Sequence, residues 1–178
     1  MRPSIYPTGG IGLLLIGCAL MLASATTVQA AQAAQKIVVA LGASQTYGKG
    51  VERSEAYPAQ LEEMLRKAGK NVHVINAGTN GETTIGMLSS LSSSVPEGTS
   101  VVILQPGGND KRHHMGRERD TNIASIVSAL DARHIRVLMM ENREFKTLPR
   151  GLDNQHLTPQ GYHMLAVRFL PKVISALR

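Results

Sequence analysis

Four short stretches of the chain carry residue types that can do chemistry together. The first is Asp153-Asn154-Gln155-His156. An Asp three residues before a His lets one turn hold both side chains. The carboxylate accepts from Nδ1–H, which fixes the tautomer and leaves Nε2 free to take a proton from a hydroxyl. The same spacing also suits a capping Asp beside a surface His, or a metal site completed by His113, His114 and Asp110. The second stretch is Gly42-Ala43-Ser44-Gln45-Thr46-Tyr47-Gly48-Lys49-Gly50. It suits a nucleophile turn that points the Ser44 hydroxyl into a crevice. As a phosphate loop it is misspaced: five residues separate Gly42 from Gly48, and Gly50 follows Lys49 where a Ser or Thr is needed to hold Mg²⁺. The third, 76–84, contains Gly81, whose bare backbone N–H could face an oxyanion. The fourth, Pro106-Gly107-Gly108-Asn109-Asp110, offers the Asn109 amide as a second donor; such a donor is worth ~3–4 kcal/mol in a transition state. The last three stretches also suit ordinary Gly-containing turns.

The segments around these stretches must position them. Four apolar runs, 36–41, 71–75, 100–105 and 135–139, are rich in Val and Ile and lack clean alternation, as strands covered on both faces do. Helical spacing lies between them. Tyr57, Leu61, Met64 and Leu65 share a face, with Ser54 as candidate cap and Gly69 as candidate stop. A shorter helix is expected over 84–91. Ile123, Ile126, Val127 and Leu130 form another stripe, capped by Asp120 or Thr121. A last helix starts with Thr158 as cap and Pro159 in its first turn. Leu165, Phe169, Val173 and Leu177 give it an apolar stripe, and Pro171 is expected to kink it. Strand–helix alternation predicts an α/β fold of three layers, α/β/α, around a short parallel sheet of about four strands. In such sheets the site lies beyond the carboxyl ends of the strands, where all four stretches fall.

In this order and placement, the four stretches resemble the SGNH hydrolase (GDSL-like lipase/esterase) family across nearly all of the chain beyond residue 35. Ala40-Leu41-Gly42-Ala43-Ser44, continued by Ala56-Tyr57-Pro58-Ala59-Gln60-Leu61, is similar to the family's first block. Residues 76–83 are similar to the second and place its glycine at Gly81. Gly107-Gly108-Asn109-Asp110 matches the third, and Asp153-Asn154-Gln155-His156-Leu157-Thr158-Pro159 the last. The resemblance implies the flavodoxin-like SGNH hydrolase fold over 36–178 and a serine hydrolase of the esterase, lipase or thioesterase type. It implies Ser44 as nucleophile, His156 as base and Asp153 as its orienter. An oxyanion hole would be made by the Ser44 and Gly81 N–H groups and the Asn109 side chain. No cofactor or metal is implied. The implied substrate is a small acyl ester or an acylated glycan or lipid.

Two departures stand out. The family's Gly-Asp-Ser-Leu is Gly-Ala-Ser-Gln here, so the acid that steadies the nucleophile turn is missing at Ala43. The stretch from Asn109 to Asp153 is also short, lacking one helix and the fifth strand, so the loop 141–152 is expected to carry Asp153 and His156 to Ser44 unaided. These departures leave an alternative open: a non-catalytic or weakly active envelope- or carbohydrate-binding module on the same fold.

The 178 residues suit one domain, and 43 % apolar content supplies a core. Residues 1–30 differ from the rest: one charge at Arg2, an apolar run over 11–23, then Val28-Gln29-Ala30 with small residues at both cleavage-determining positions. This pattern predicts a signal peptide, followed by a linker over 31–35, and an exported, periplasmic or secreted protein. The apolar run is shorter than the ~20 residues of a membrane span, so no transmembrane segment is expected in the mature chain. Leu15-Ile16-Gly17-Cys18 leaves a lipoprotein as the lesser alternative. Cys18 is the single cysteine, so thiol chemistry is excluded once the leader is gone. The net charge of +6 suits anionic surfaces or substrates. Nucleic acid is not an expected partner, since aromatics make up 3 % and no binding motif occurs.

Overall fold

The computed structural model describes residues 34–178; the leader and most of the linker lie outside them. Among the described residues the chain forms one parallel sheet of four strands in the order β2-β1-β3-β4. The strands are β1 (Lys36–Gly42), β2 (Val72–Gly78), β3 (Thr99–Gln105) and β4 (Arg136–Met139). Helices α1 (Ser44–Tyr47) and α2 (Tyr57–Lys67) follow β1; α3 (Thr84–Ser89) and α4 (Leu91–Ser94) follow β2. Then come α5 (Asn109–Arg112) and α6 (Arg119–Asp131) after β3, and α7 (Pro159–Ala176) after β4.

Both faces of the sheet are covered, which explains the unbroken apolar strands. Alternate residues serve different cores. Val38, Ala40, Val101 and Ile103 pack with Leu61, Leu65, Leu165 and Phe169 of α2 and α7. Val39, Leu41, Val102 and Leu104 pack with Met87, Leu91, Ile126 and Leu130 of α3, α4 and α6. At ~1.5–3 kcal/mol per fully buried aliphatic side chain, each face holds its helices by many such contacts. This is the three-layer α/β/α arrangement anticipated from the alternation.

Register brings the functional turns to one level. Gly42, the last residue of β1, pairs with Gly78 on one side and Gln105 on the other, and these residues end β2 and β3. β2 therefore runs three residues past 75, because Asn76, Ala77 and Gly78 still pair with Ala40, Leu41 and Gly42. The turn expected from 76 begins only after Gly78.

Several local expectations are corrected. Ser54 does not cap α2; it lies in a 3-10 turn, Arg53–Glu55, which has its own capping box between Glu52 and Glu55, and α2 starts from Ala56 with Pro58 in its first turn. α6 begins at Arg119, so Asp120 lies inside its first turn and neither Asp120 nor Thr121 caps it. The helix expected over 84–91 divides at Ser90 into α3 and α4. Two signals held: Thr158 caps α7 by accepting from the Gly161 N–H at 3.2 Å, and Gly69, at φ +70°, ends α2 with bonds from its own N–H to Arg66 and from the Lys70 N–H to Leu65.

The closest backbone approach of the sheet is at Gly78. A Cβ there would stand 2.2 Å from the Tyr47 backbone nitrogen and 2.6 Å from the Thr46 carbonyl carbon. Both are main-chain atoms of α1 and have no rotamer by which to yield. Gly78→Ala is therefore expected to lower stability by ~2–3 kcal/mol, in the upper range for overpacking. Thermal unfolding checks this; an unchanged melting temperature would show that α1 does not rest on β2.

Candidate active site

Ser44 is the first residue of α1, and only Ala43 separates it from the end of β1. The turn between them is held by a residue that the sequence reading passed over. Gln105, at the end of β3, is buried, and its Oε1 accepts from the Ala43 N–H at 2.9 Å and from the Thr46 hydroxyl at 3.2 Å. The turn that has no acid at position 43 is thus held from the neighbouring strand, while Ala43 packs into the apolar core. The only signal that could have found Gln105 is its place as a polar residue closing an apolar strand.

His156 reaches Ser44 from the far side. Its Nε2 lies 3.0 Å from Ser44 Oγ, and its Nδ1 lies 2.5 Å from Asp153 Oδ2. With the proton on Nδ1 donated to the carboxylate, Nε2 is left to accept from the hydroxyl. The other carboxylate oxygen, Oδ1, accepts from the backbone N–H groups of Gln155 and His156, each at 2.9 Å. Asn154 takes the left-handed conformation at φ +50° that lets the turn close, a region Asn tolerates. His156 is buried, whereas Asp153 stays half exposed. The His156 contact first, and the two N–H donors after it, hold the Asp153 carboxyl far below the ordinary carboxylate range.

The expectation that the loop 141–152 stands unaided is corrected. Arg168 of α7 donates to the carbonyls of Glu144 and Lys146 and to the Thr147 hydroxyl, and Lys172 pairs with Glu144 at 2.7 Å. Leu148 is buried in the core. Arg150 and Leu157 form an antiparallel bridge, and the Gly151 N–H donates to the His156 carbonyl at 2.8 Å. Across the site, the Gln45 amide donates to the Gln155 carbonyl at 2.8 Å and the Tyr162 hydroxyl to the Lys49 carbonyl at 3.2 Å. The histidine turn is thereby fastened to both α7 and the serine turn.

The remaining candidates are brought together in part. Asn109 and Ser44 line one cavity of about 250 Å³. The Asn109 Nδ2 donates one hydrogen to the Glu82 carbonyl at 2.8 Å, leaving its second hydrogen for another acceptor. Gly81, at φ +77°, precedes Glu82 but is not among the residues lining the cavity. Buried Asp110 fixes both turns by accepting from the Thr84 N–H at 3.1 Å and the Thr84 hydroxyl at 2.5 Å; Asn122 of α6 donates to the same hydroxyl at 3.1 Å. Asp110 is therefore engaged away from His113 and His114, which are exposed. Among the described residues, no three of His, Cys, Asp and Glu come together as a metal site.

Such an arrangement can raise the nucleophilicity of a hydroxyl and place hydrogen-bond donors beside it. The family described as GDSL-like Lipase/Acylhydrolase matches residues 40–166. Esterase TesA of Pseudomonas aeruginosa is 30 % identical over 131 residues, covering 72 % of this chain and 62 % of that protein. The chain spans about three fifths of the length of the curated relatives it matches. Among solved structures, the SGNH-hydrolase family esterase AlinE4 superposes with a TM-score of 0.55 at 29 % identity, over 79 % of this chain and 73 % of that one. The psychrotrophic esterase EstA from Pseudoalteromonas sp. superposes with a TM-score of 0.69 at 14 % identity, over 80 % of this chain and 98 % of that one, and shares the fold.

Two outcomes follow from the geometry. Gln105→Leu strips the Ala43 N–H and the Thr46 hydroxyl of their acceptor and should cost ~1–3 kcal/mol, read as a lower urea midpoint; an unchanged midpoint would remove Gln105 from its role. Because the folded state depresses the Asp153 pKa, the associated stability is complete above the ordinary Asp value of about 3.9 and fades as pH falls below it. The stability gap between wild type and Asp153→Asn should therefore narrow as pH falls below about 4. A gap that widens with acid would reverse the assigned sign.

Proposed function

This chain belongs to the GDSL-like Lipase/Acylhydrolase family, and on that premise we propose that it hydrolyses carboxylic esters through an acyl-enzyme on Ser44. The observation that carries the reading is the line of contacts from Ser44 Oγ to His156 Nε2 at 3.0 Å and from His156 Nδ1 to Asp153 at 2.5 Å. In the first half-reaction, Ser44 Oγ attacks the ester carbonyl carbon as its proton passes to His156 Nε2. The C–O bond to the alcohol then breaks, and the alcohol leaves with that proton. In the second half, His156 takes a proton from water, the hydroxide attacks the acyl-enzyme, and the acid departs as the proton returns to Ser44. Asp153 keeps the imidazole in its tautomer and stabilises the imidazolium.

The oxyanion donors of this proposal are the backbone N–H groups of Ser44 and Gly81 and the Asn109 side chain. The Ser44 N–H is at the start of α1, where main-chain donors lack partners within the helix. Asn109 is supported by its place in the Ser44 cavity, and Gly81 by its position one residue before the carbonyl that holds the Asn109 amide. The cavity of about 250 Å³ is smaller than the ~300 Å³ at which drug-sized ligand pockets begin, which favours short acyl groups. No helix of the described residues is long and apolar enough to cross a membrane. With the leader read from residues 1–30, we place the protein beyond the inner membrane, acting on small acyl esters or on acylated glycans or lipids.

Ser44→Ala should abolish turnover of para-nitrophenyl acetate, with a drop of at least about a thousandfold, while circular dichroism stays native. Equal turnover in the variant would exclude Ser44 as nucleophile, and a wild type that turns over no ester would favour a binding module on this fold.

A further inference from the structure

The Ser44 cavity carries a charge that the ester chemistry does not use. Two guanidinium groups, Arg112 and Arg150, line it, and none of its lining residues is acidic. Some arginines elsewhere pair with carboxylates, Arg66 with Glu63, Arg133 with Glu97 and Arg143 with Glu141, while others, such as Arg136 and Arg168, hold carbonyls far from the serine. Arg112 and Arg150 meet neutral acceptors within the Ser44 cavity itself. Arg112 donates to Asn109 Oδ1 at 3.4 Å and, with the Gln155 amide oxygen turned toward it, to that oxygen at 3.0 and 2.8 Å. Arg150 donates to the Gln155 backbone carbonyl. Both are thus held by one residue, the neighbour of His156, and no carboxylate neutralises either within the cavity. Asp153, three residues after Arg150, is bound to His156 and to two N–H groups.

A guanidinium has five N–H donors in a fixed fork that matches carboxylate and phosphate oxygens. The neutral contacts occupy part of each fork and orient it, leaving donors and full charge beside the serine. We propose that the substrate of Ser44 is an ester that also carries an anionic oxyacid group, a carboxylate or a phosphate, which Arg112 and Arg150 bind. This inference rests on the esterase reading and narrows it. The two cations determine which esters are taken, and they act by binding the anion rather than by moving a proton. Their contribution is electrostatic and partly exposed to solvent, so it must weaken with salt.

The test pairs charged esters with capped twins of the same shape. Para-acetoxybenzoate and its methyl ester place the charge on the alcohol side. The para-nitrophenyl monoester of glutarate and its methyl-capped form place it on the acyl side, and para-acetoxyphenyl phosphate against its dimethyl ester replaces carboxylate by phosphate. For each pair, the kcat/KM ratio of charged to capped ester is compared between the wild type and an Arg112→Gln, Arg150→Gln double variant. Intrinsic reactivity of the esters and any general loosening of the histidine turn cancel in that comparison. At least one ratio should be about tenfold higher in the wild type than in the variant, in keeping with hydrogen bonds to charged groups. That ratio should also fall in the wild type as sodium chloride rises to about 1 M, where screening is nearly complete. Should the double variant fail to fold, the salt titration of the wild type and an Arg112→Lys, Arg150→Lys variant, which keeps the charge and loses the fork, give the same reading. Ratios that are equal in wild type and variant and indifferent to salt overturn the proposal. Reaction with a fluorophosphonate separates the two levels. Labelled Ser44 with capped esters hydrolysed and no charge effect leaves the esterase and removes the anion; no labelling and no hydrolysis of any ester removes both.

Discussion

The parallel register at the end of β1 is the constraint on which the site depends. Gly42 stands opposite Gly78 and Gln105 at once, so three strands stop together and three turns leave from one level. The serine turn then packs its backbone on Gly78, hangs from the Gln105 amide, and opens toward the turn that carries Asn109. A one-residue slip of either neighbour would exchange core-facing and opposite-facing side chains along a whole strand. The two apolar faces of the sheet forbid that slip, and so the core packing that stabilises the protein also fixes where its polar groups meet.

The histidine arrives by different means. No strand delivers it, because β4 ends at Met139 and a long irregular segment follows. Order there comes from α7, whose Arg168 gathers carbonyls of the loop, and from the compact turn in which Asp153 accepts two main-chain N–H groups and the imidazole. The carboxylate is therefore both the scaffold of the turn and the partner of the ring. The shortened segment costs the site less than its length suggests, since hydrogen bonds from a helix replace the missing sheet edge.

How much of this was legible differs by element. The strands and the two-sided sheet were readable because runs such as Val38-Val39-Ala40-Leu41 have no polar face to show. That Ser44, Asp153 and His156 meet, with Asn109 in the same cavity as Ser44, was readable because few residue types suit the chemistry proposed for them and each sits just beyond a strand or before a helix. Helix starts were less so: Ser54 and Thr121 are good capping types, but the 3-10 turn at Arg53–Glu55 and an earlier start at Arg119 displaced them. Tertiary pairing extended β2 through Asn76, Ala77 and Gly78, residues with weak strand preference that only their neighbours in β1 hold extended. Gln105 and the Arg168 clamp were invisible for the same reason. Each acts on residues far away in sequence, and one chain read alone carries no record of who its distant partners are.

The pairing of one hydroxyl with one imidazole is tested most directly by labelling. The protein is treated with a fluorophosphonate, and the adduct is located by peptide mass mapping in wild type and in His156→Ala. A single adduct on Ser44 is expected, formed at least about a hundredfold more slowly without the imidazole, in line with the usual worth of a general base. An adduct elsewhere, or labelling of Ser44 at the same rate in both proteins, would contradict it.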